Sequence, residues 1–382
     1  MQRQESLMSL RTFLNSGYKY LAERKSKIVR RFIVYILILV VIFPFVFINR
    51  NTIYSTFILR HDKYKFSRTS EGLVISDYGY QAGVYVGEQI TVRTLAEAAV
   101  VYYSEYIDGN LTALTYFNNC IDYILTHLVN MDLETNNGTV TITTWPYDFA
   151  IWDLPVGWRS GMVDAMAIHA LALAHSLNGN TTYLDIIERV INAFEIPIAQ
   201  GGNLLILENN TYWYPEIVVT PDLIPDYNSP LILNGFQFAL IHMYQANEYL
   251  NNSRLANVFN LGVEADEYHI HKYDLPYKWT RYHLRDPLKL ASASYHAIHI
   301  AQTELLYEYT NETIFKTYHE LWSTYTTRPL FTWEEIFSWE FIQNGLLMLV
   351  LVLMPIIGID IAQSLGRSYL RKRKATGSGN II

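Results

Sequence analysis

Apolar side chains recur at helical spacing in eight segments of the chain. Short Asn- and Gly-containing stretches separate the members of each pair, so the pattern predicts antiparallel helical hairpins. Two longer segments, 131–160 and 198–233, contain Trp, Pro and Gly and are predicted to be loops. We therefore predict a mainly α domain over residues 93–328, with the hairpins either closed into an (α/α) barrel or toroid or left as an open bundle. The helical segments are 94–107, 113–129, 161–177, 181–194, 235–250, 253–270, 294–310 and 314–326.

Residues 49–92 have a different composition. They are rich in Tyr, Thr, Val and Gly, as in "VISDYGYQAGVYVG", which is typical of extended chain. The sequence predicts a short β-rich lead-in to the helical domain.

Two further segments are almost wholly apolar. Residues 32–48 contain no charged side chain, and residues 341–362 contain only Asp360. Both are long enough to cross a bilayer, so they predict two transmembrane helices. The flanking segment 1–31 has eight Lys/Arg against two Glu, and 363–382 has five Lys/Arg and no acid, which predicts that both termini are cytoplasmic. The domain between the spans would then lie outside the cell membrane.

The composition of that outer part is consistent with this topology. Residues 32–362 contain 16 Lys/Arg and 34 Asp/Glu, which disfavours nucleic acid as a partner. The single cysteine, Cys120, excludes an intramolecular disulfide, which favours a prokaryotic surface protein. Six N-x-S/T sequons lie in the outer part, at Asn110, Asn137, Asn180, Asn209, Asn251 and Asn311.

The predicted helix 294–310 carries polar side chains on an apolar face. Tyr295, His299 and Gln302 fall at positions i, i+4 and i+7, so they share that face. A hydrogen-bonded core cluster is one interpretation, because most buried polar groups are structural. The other interpretation is the wall of a functional site.

Four motifs occur in an order that resembles the D-glucuronyl C5-epimerase family. They are P-x-G-W-x-S at 155–160, L-N-G-F at 233–236, Y-x-L-R at 282–285 and Y-H-x-x-H-I at 295–300. The resemblance covers about residues 80–325. The β-rich domain that precedes the helical domain in animal members has no counterpart here beyond residues 50–92.

The resemblance implies inversion of C5 in a hexuronic acid residue of a glycan, of the D-glucuronate to L-iduronate type. It implies catalytic tyrosines at Tyr295 and Tyr282, although His283 stands where the family has Asp. Arg285 would bind the substrate carboxylate, because a guanidinium can do so with two hydrogen bonds. We assign substrate binding also to Arg281, His299, His296, Gln302, Asn234 and Trp158.

The third catalytic position is left open by the sequence. Family members carry Glu-Tyr-Pro shortly before L-N-G-F, but residues 212–236 of this chain contain extra residues. Alignment back from Asn234 favours Tyr227, and alignment forward from Trp213 favours Glu216 as an acid or base. Tyr214 is a further alternative.

Proton transfer at C5 requires no electron carrier, so no cofactor is expected, and the scattered His residues predict no metal site. Three other functions share these features: a polysaccharide lyase, a glycoside hydrolase with two facing carboxylates, and a non-catalytic glycan-binding protein. The sequence leaves the oligomeric state open, with a homodimer among the alternatives.

Overall fold

Eight α-helices account for most of the described residues. The computed structural model describes residues 65–81, 84–135, 138–275, 278–286 and 289–325, together with Gly358. The helices are α1 (Val92–Ile107), α2 (Leu111–Thr126), α3 (Gly161–Asn178), α4 (Thr182–Glu195), α5 (Leu233–Leu250), α6 (Ser253–His269), α7 (Ala293–Thr310) and α8 (Thr313–Ser323). The eight predicted helices are confirmed, with bounds that differ from the predicted ones by at most three residues.

The helices form four hairpins. α1 packs against α2, α3 against α4, α5 against α6, and α7 against α8. The odd-numbered helices are the inner ones, since α3 packs against both α1 and α5, and α5 packs against α7. α3 is the most enclosed, because every side chain from Gly161 to Ala174 is buried. The hairpin architecture was predicted correctly, and closure of the row into a ring stays a prediction.

Three of the four inner helices begin at polar caps, whereas α5 begins after Ile232, which makes no side-chain cap bond. Thr91 accepts a hydrogen bond from the Thr94 amide, and Ser160 and Ser292 cap α3 and α7 in the same way. Since each inner helix is followed by an antiparallel outer helix, all four inner helices begin at the same rim of the row. The hairpin turns lie at the opposite rim.

The described part of the lead-in, residues 65–81 and 84–91, is extended, as predicted. It contains β1 (Lys65–Arg68), β2 (Val74–Asp77), β3 (Tyr80–Gln81), β4 (Val84–Tyr85) and β5 (Glu88–Gln89). β2 pairs with β1 and β5, and β3 pairs with β4, all antiparallel. The Tyr102 hydroxyl of α1 donates to the Gly72 carbonyl at 2.7 Å, which fixes the lead-in to the helices.

The segment 131–160 is not wholly a loop. β6 (Val129–Thr135) and β7 (Gly138–Thr144) form an antiparallel hairpin, so α2 ends at Thr126, before the predicted end at 129. The hairpin packs on α4, where Arg189 donates to the Thr143 hydroxyl at 3.0 Å. Threonines at 139, 141, 143 and 144 supply the β-branched content that favours a strand. Two-residue strands complete the structure: β8 (Leu205–Ile206), β9 (Tyr212–Trp213), β10 (Asp274–Leu275) and β11 (Trp279–Thr280).

The predicted transmembrane segments 32–48 and 341–362 lie outside the described residues, apart from Gly358, as do the basic segments 1–31 and 363–382. In the ranges given above, no helix combines the length and apolarity needed to cross a membrane.

Candidate active site at the rim where the inner helices begin

Two loop segments meet above the start of α5. Ile232 pairs with His283 in a β-bridge, and the amides of Leu284 and Arg285 donate to the Pro230 carbonyl at 3.0 and 3.2 Å. The Leu233 amide donates to the Tyr282 carbonyl at 3.3 Å. These bonds hold the 279–290 segment against the chain that enters α5, which brings the Y-x-L-R motif to the L-N-G-F motif.

Tyr282 and Tyr295 form a pair at this rim. Their ring centroids are 4.6 Å apart and the rings are tilted by 48°. Tyr295 lies in the first turn of α7, where its amide donates to the Ser292 hydroxyl at 3.2 Å. Both phenols are partly buried. The structure thus brings together the two tyrosines that the motifs single out.

Arg285 and Tyr227 form a second pair. The guanidinium donates to the Tyr227 hydroxyl at 3.4 Å and to the Asn228 carbonyl at 3.2 Å, and it lies 5.8 Å from the Tyr227 ring centroid. Burial raises the pKa of Tyr227, while the Arg285 charge acts to lower it. Tyr227 is therefore a protonated phenol at neutral pH. Arg285 is exposed, so a substrate carboxylate can reach its guanidinium.

Glu216 packs against the start of α5. A methyl group added at Gly235 would collide with its carboxyl group, so only glycine leaves room for Glu216 at this place. Oε2 is buried and has no hydrogen-bond partner in the described part of the chain. Burial raises the pKa of Glu216 to about 7, although the charge of Arg93 opposes this. A carboxyl group with that pKa exchanges protons readily near neutral pH.

Gln302 joins α7 to α5 just below the tyrosine pair. Its Nε2 donates to the Asn234 carbonyl at 2.9 Å. The side-chain oxygens of both residues are buried and lack a partner among the described residues. They are acceptors, and sugar hydroxyls are donors of the kind that would satisfy them.

His296 and His299 face the 279–290 segment. The Thr280 hydroxyl lies 2.9 Å from His296 Nδ1 and 3.1 Å from His299 Nδ1. His296 also stacks on Trp279 with ring centroids 4.0 Å apart. Burial lowers the pKa of His296 to about 4 and that of His299 to about 3, so both are neutral at physiological pH. Their contacts with Thr280 and Trp279 hold in place the segment that carries Tyr282.

Three other candidate residues have different surroundings. Trp158 is buried and stacks on Tyr147 with centroids 3.8 Å apart. The Arg281 amide donates to the Tyr273 carbonyl at 2.8 Å, and its Nε is buried without a partner in the described ranges. The buried Tyr214 donates its hydroxyl to the Val258 carbonyl at 2.8 Å, so it is engaged with α6. The functional roles of all three stay predictions.

Sequence reasoning missed Arg93 and Thr280. Arg93 lies in the first turn of α1, and its charge acts on Glu216, Tyr78 and Tyr147. Its local pattern shows only an i,i+4 pair with Glu97, at 3.8 Å, which resembles an ordinary surface ion pair. Thr280 stands alone between two motifs. Only the fold shows that either residue meets the site. The described residues contain no cluster of three potential metal ligands.

Comparison with known proteins gives a family match over part of the chain. Residues 138–324 match the family described as D-glucuronyl C5-epimerase C-terminus. The match covers 187 of the 382 residues, just under half of the chain, and this part of the chain is similar to that family. The match begins at β7 and ends after α8, so it includes every residue of the site described above except Arg93. The match supports an enzyme that epimerises a carbohydrate.

Individual similar proteins were also found. An uncharacterised protein of Methanocaldococcus jannaschii is 26% identical over 270 residues, which cover 67% of this chain and 84% of that protein. A D-mannose isomerase structure shares 17% identity over 64% of this chain and 63% of its own, with a TM-score of 0.40. A cellobiose 2-epimerase structure from Spirochaeta thermophila shares 13% identity over 62% and 59%, with a TM-score of 0.42. The chain thus spans about three fifths of those two structures.

Proposed function

We propose that the chain inverts C5 of a hexuronic acid residue within a glycan, of the D-glucuronate to L-iduronate type. The observation that carries the proposal is the tyrosine pair. Tyr282 and Tyr295 come from separate motifs, yet their rings meet at 4.6 Å on the rim where Arg285 and Glu216 also lie. Phenols beside an exposed guanidinium suit the removal and return of a proton next to a carboxylate.

The chemistry requires these groups. The C5–H bond breaks, its proton passes to a base, and the electron pair moves into the adjacent carboxylate to give an enolate-like dianion. That species forms only if the growing charge is stabilised, and the Arg285 guanidinium supplies a bidentate partner for it. An acid on the other face then returns a proton to C5. The C5–H bond forms again with inverted configuration.

The protonation states of these residues suit them to different roles in the reaction. Tyr227 holds its proton because burial raises its pKa, so it suits the role of the acid. Glu216, with a pKa of about 7, can accept or release a proton at neutral pH. Tyr282 and Tyr295, whose rings are in contact, would lie on one side of C5, where one of them removes the proton. The acceptors of Asn234 and Gln302 would bind sugar hydroxyls below them.

Isotope exchange tests the reaction directly. The full chain is incubated in D2O with a glycan that contains D-glucuronate, and the products are examined by NMR. We expect deuterium at C5 together with the new C5 epimer. An unsaturated product with ultraviolet absorbance would identify a lyase, shorter chains would identify a hydrolase, and binding without any of these would identify a lectin-like protein. Each of those three results overturns the proposal.

We further propose that residues 32–48 and 341–362 anchor the domain outside the cell membrane, with both termini in the cytoplasm. The support is the excess of Lys/Arg in both terminal segments. Protease added to intact cells should digest the central domain and spare epitope tags at both ends. Protection of the central domain would contradict this topology. The partner is then a uronate-containing surface or membrane-linked glycan.

A further inference from the structure

Each hairpin turn of the helical domain contains an N-x-S/T sequon. The α1–α2 turn contains Asn110, the α3–α4 turn Asn180, the α5–α6 turn Asn251 and the α7–α8 turn Asn311. These turns join the end of an inner helix to the start of an outer one. The four sequons therefore share the rim opposite the candidate active site. Inner helices of 16 to 18 residues separate the two rims by roughly 25 Å at 1.5 Å per residue.

The side chains that a sequon requires are exposed at all four turns. The asparagines at 110, 180, 251 and 311 are exposed. The hydroxyl residues two positions later, Thr112, Thr182, Ser253 and Thr313, are exposed as well. A transferase that requires both the amide and the hydroxyl would find them on the surface.

Helix capping explains only some of the sequon residues at these turns. Asn251 and Asn311 have φ of 47° and 58° at the ends of their helices, a conformation that Asn tolerates well. The N-cap positions of the outer helices are Asn110, Thr181, Asn252 and Glu312. The sequon hydroxyls instead lie at the first or second helical residue, where no cap is needed. Capping therefore accounts for Asn251 and Asn311 and leaves the hydroxyl residues unexplained. The Asn110 amide instead donates to the Glu105 carboxylate at 3.2 Å, and the Asn180 side-chain oxygen accepts from the Thr182 amide at 3.0 Å.

We propose that this rim is a modified face that carries N-linked glycans. The donor would be a lipid-linked oligosaccharide phosphate or diphosphate. In the transfer, the C1–O bond to phosphate breaks, a bond forms between the asparagine Nδ2 and C1, the amide loses a proton, and the lipid phosphate leaves. The inference rests on the proposed extracytoplasmic location and is independent of the epimerase activity.

The sequon at Asn209 provides an internal comparison. Its amide donates to the Tyr268 hydroxyl. The Thr211 hydroxyl donates to the Glu208 carbonyl at 2.9 Å and lies 2.7 Å from His269 Nε2. Both groups of this sequon are therefore engaged in the folded chain, so we expect lower occupancy here. The sixth sequon, Asn137, lies outside the described residues.

The experiment is glycopeptide mass spectrometry on the full chain purified from its native membranes. We expect mass additions at the four turn asparagines and less at Asn209. Ser253→Ala and Thr313→Ala should abolish the additions at Asn251 and Asn311 while leaving both helix caps intact. The matched variants Ser253→Thr and Thr313→Ser keep the sequons and should keep the additions.

Protease accessibility of intact cells, measured on the same strain, separates the possible failures. A digestible domain with unmodified turns would overturn the glycan proposal while the topology stands. A protected domain with unmodified turns would overturn both. Additions that survive Ser253→Ala and Thr313→Ala would show another chemistry and would overturn the assignment. Equal occupancy at Asn209 would overturn the claim that exposure in the folded turns selects the sites.

Discussion

Burial controls the proton state of the residues at the site. The carboxyl of Glu216 and the phenol of Tyr227 both lose solvation, and the pKa of each rises for that reason. Two cations limit the effect: Arg93 acts on Glu216 and Arg285 acts on Tyr227. The site is therefore rich in groups that hold a proton at neutral pH and can release it to a strong base such as an enolate.

Tyr295→Phe tests the phenol at residue scale. Phe keeps the ring and its contact with Tyr282 while the hydroxyl is lost. Removal of a general acid or base typically costs about 10²–10⁴-fold in rate, so we expect at least about a hundredfold loss of C5 exchange with folding and glycan binding near normal. Deuterium uptake at C5, circular dichroism and glycan binding are measured together.

Tyr307→Phe is the control on the same helix. Tyr307 lies twelve residues further along α7, where Lys316 sits 5.6 Å from its ring centroid. The control should retain its rate. A Tyr295→Phe enzyme that turns over normally, or that fails to fold, would contradict the catalytic assignment.

At the scale of elements, α7 shows why a helix carries polar groups on an apolar face. The sequence left two interpretations of these polar groups open: a hydrogen-bonded core cluster, or the wall of a functional site. The structure contains both: His296 and His299 contact Thr280 inside the fold, while Tyr295 reaches Tyr282 at the rim. The helix thus holds the 279–290 segment with one part of its polar face and contributes to the site with another.

Thr280→Val tests whether the contacts of His296 and His299 with Thr280 hold this segment on α7. Valine keeps the shape and removes the hydroxyl, so two buried imidazoles lose their Nδ1 contact. Leaving a buried polar group without a partner costs about 1–3 kcal/mol, and we expect a loss of unfolding free energy in that range. We also expect a lower kcat, because Tyr282 is two residues away. Urea unfolding and C5 exchange are the measurements.

Thr303→Val is the matched control for this change. Thr303 is equally buried on α7, but its hydroxyl donates to the His299 and Ile300 carbonyls of its own helix. It should change stability less than Thr280→Val and leave kcat unchanged. Equal effects of both variants on kcat would show that the Thr280 contact does not position Tyr282.

The helices were predictable because the periodic spacing of apolar residues that indicates a helix lies within each segment's own sequence. Capping residues such as Ser160 and Ser292 also lie in the sequence next to what they cap. The β6–β7 hairpin was missed because its stability depends on packing against α4. At the site, the motif residues Tyr282, Tyr295 and Arg285 could be named in advance. Arg93 could not, since its effect on Glu216 arises from tertiary packing and its local sequence shows only the Glu97 pair.

Buried titratable groups should change the stability of the domain in two opposing ways between about pH 3 and pH 7. Burial raises the pKa of Asp266 to about 7, so the folded state binds its proton more tightly than the unfolded chain, and this contribution is lost as pH rises from about 4 to about 7. Burial lowers the pKa of His169 to about 4 and that of His242 to about 3. These two resist protonation in the fold, so stability also falls as pH drops below the ordinary histidine value of about 6.5.

Asp266→Asn isolates the contribution of the Asp266 carboxyl group to the pH dependence of stability. Oδ1 of Asp266 has no partner among the described residues, so its ionisation is poorly compensated. We expect the variant to gain unfolding free energy relative to the native chain between pH 5 and pH 8, on the order of a few kcal/mol. Urea unfolding at the two pH values measures this.

Asp164→Asn is the control variant for that experiment. Asp164 accepts from Thr144 at 2.8 Å and from Asn203 at 2.6 Å, so its substitution should destabilise the fold at both pH values. An Asp266→Asn chain whose stability falls with pH as steeply as that of the native chain would contradict the role given to Asp266.

The charge of residues 32–362 bears on the substrate. Residues 32–362 carry 34 acids against 16 Lys/Arg, so long-range electrostatics should oppose a polymer in which every unit is a uronate or a sulfate. Five cations lie between residues 272 and 289, but Lys272 is paired with Glu208. Attraction at the site therefore depends on few charges, of which Arg285 is exposed beside Tyr227. We propose that the preferred glycan carries sparse uronates.

Rates on a densely charged uronate polymer and on a mostly neutral glycan, compared at low and moderate salt, test this last proposal. Salt screens interactions between exposed charges beyond about 10 Å at 0.1 M, so repulsion of the dense polymer should weaken as salt rises. We expect the neutral glycan to be processed faster at low salt, and the difference to narrow at moderate salt. Arg285→Lys should slow both substrates, because lysine keeps the charge and loses the bidentate geometry. If the dense polymer is faster at low salt and loses that lead as salt is added, attraction governs the encounter and the acidic surface does not select the substrate.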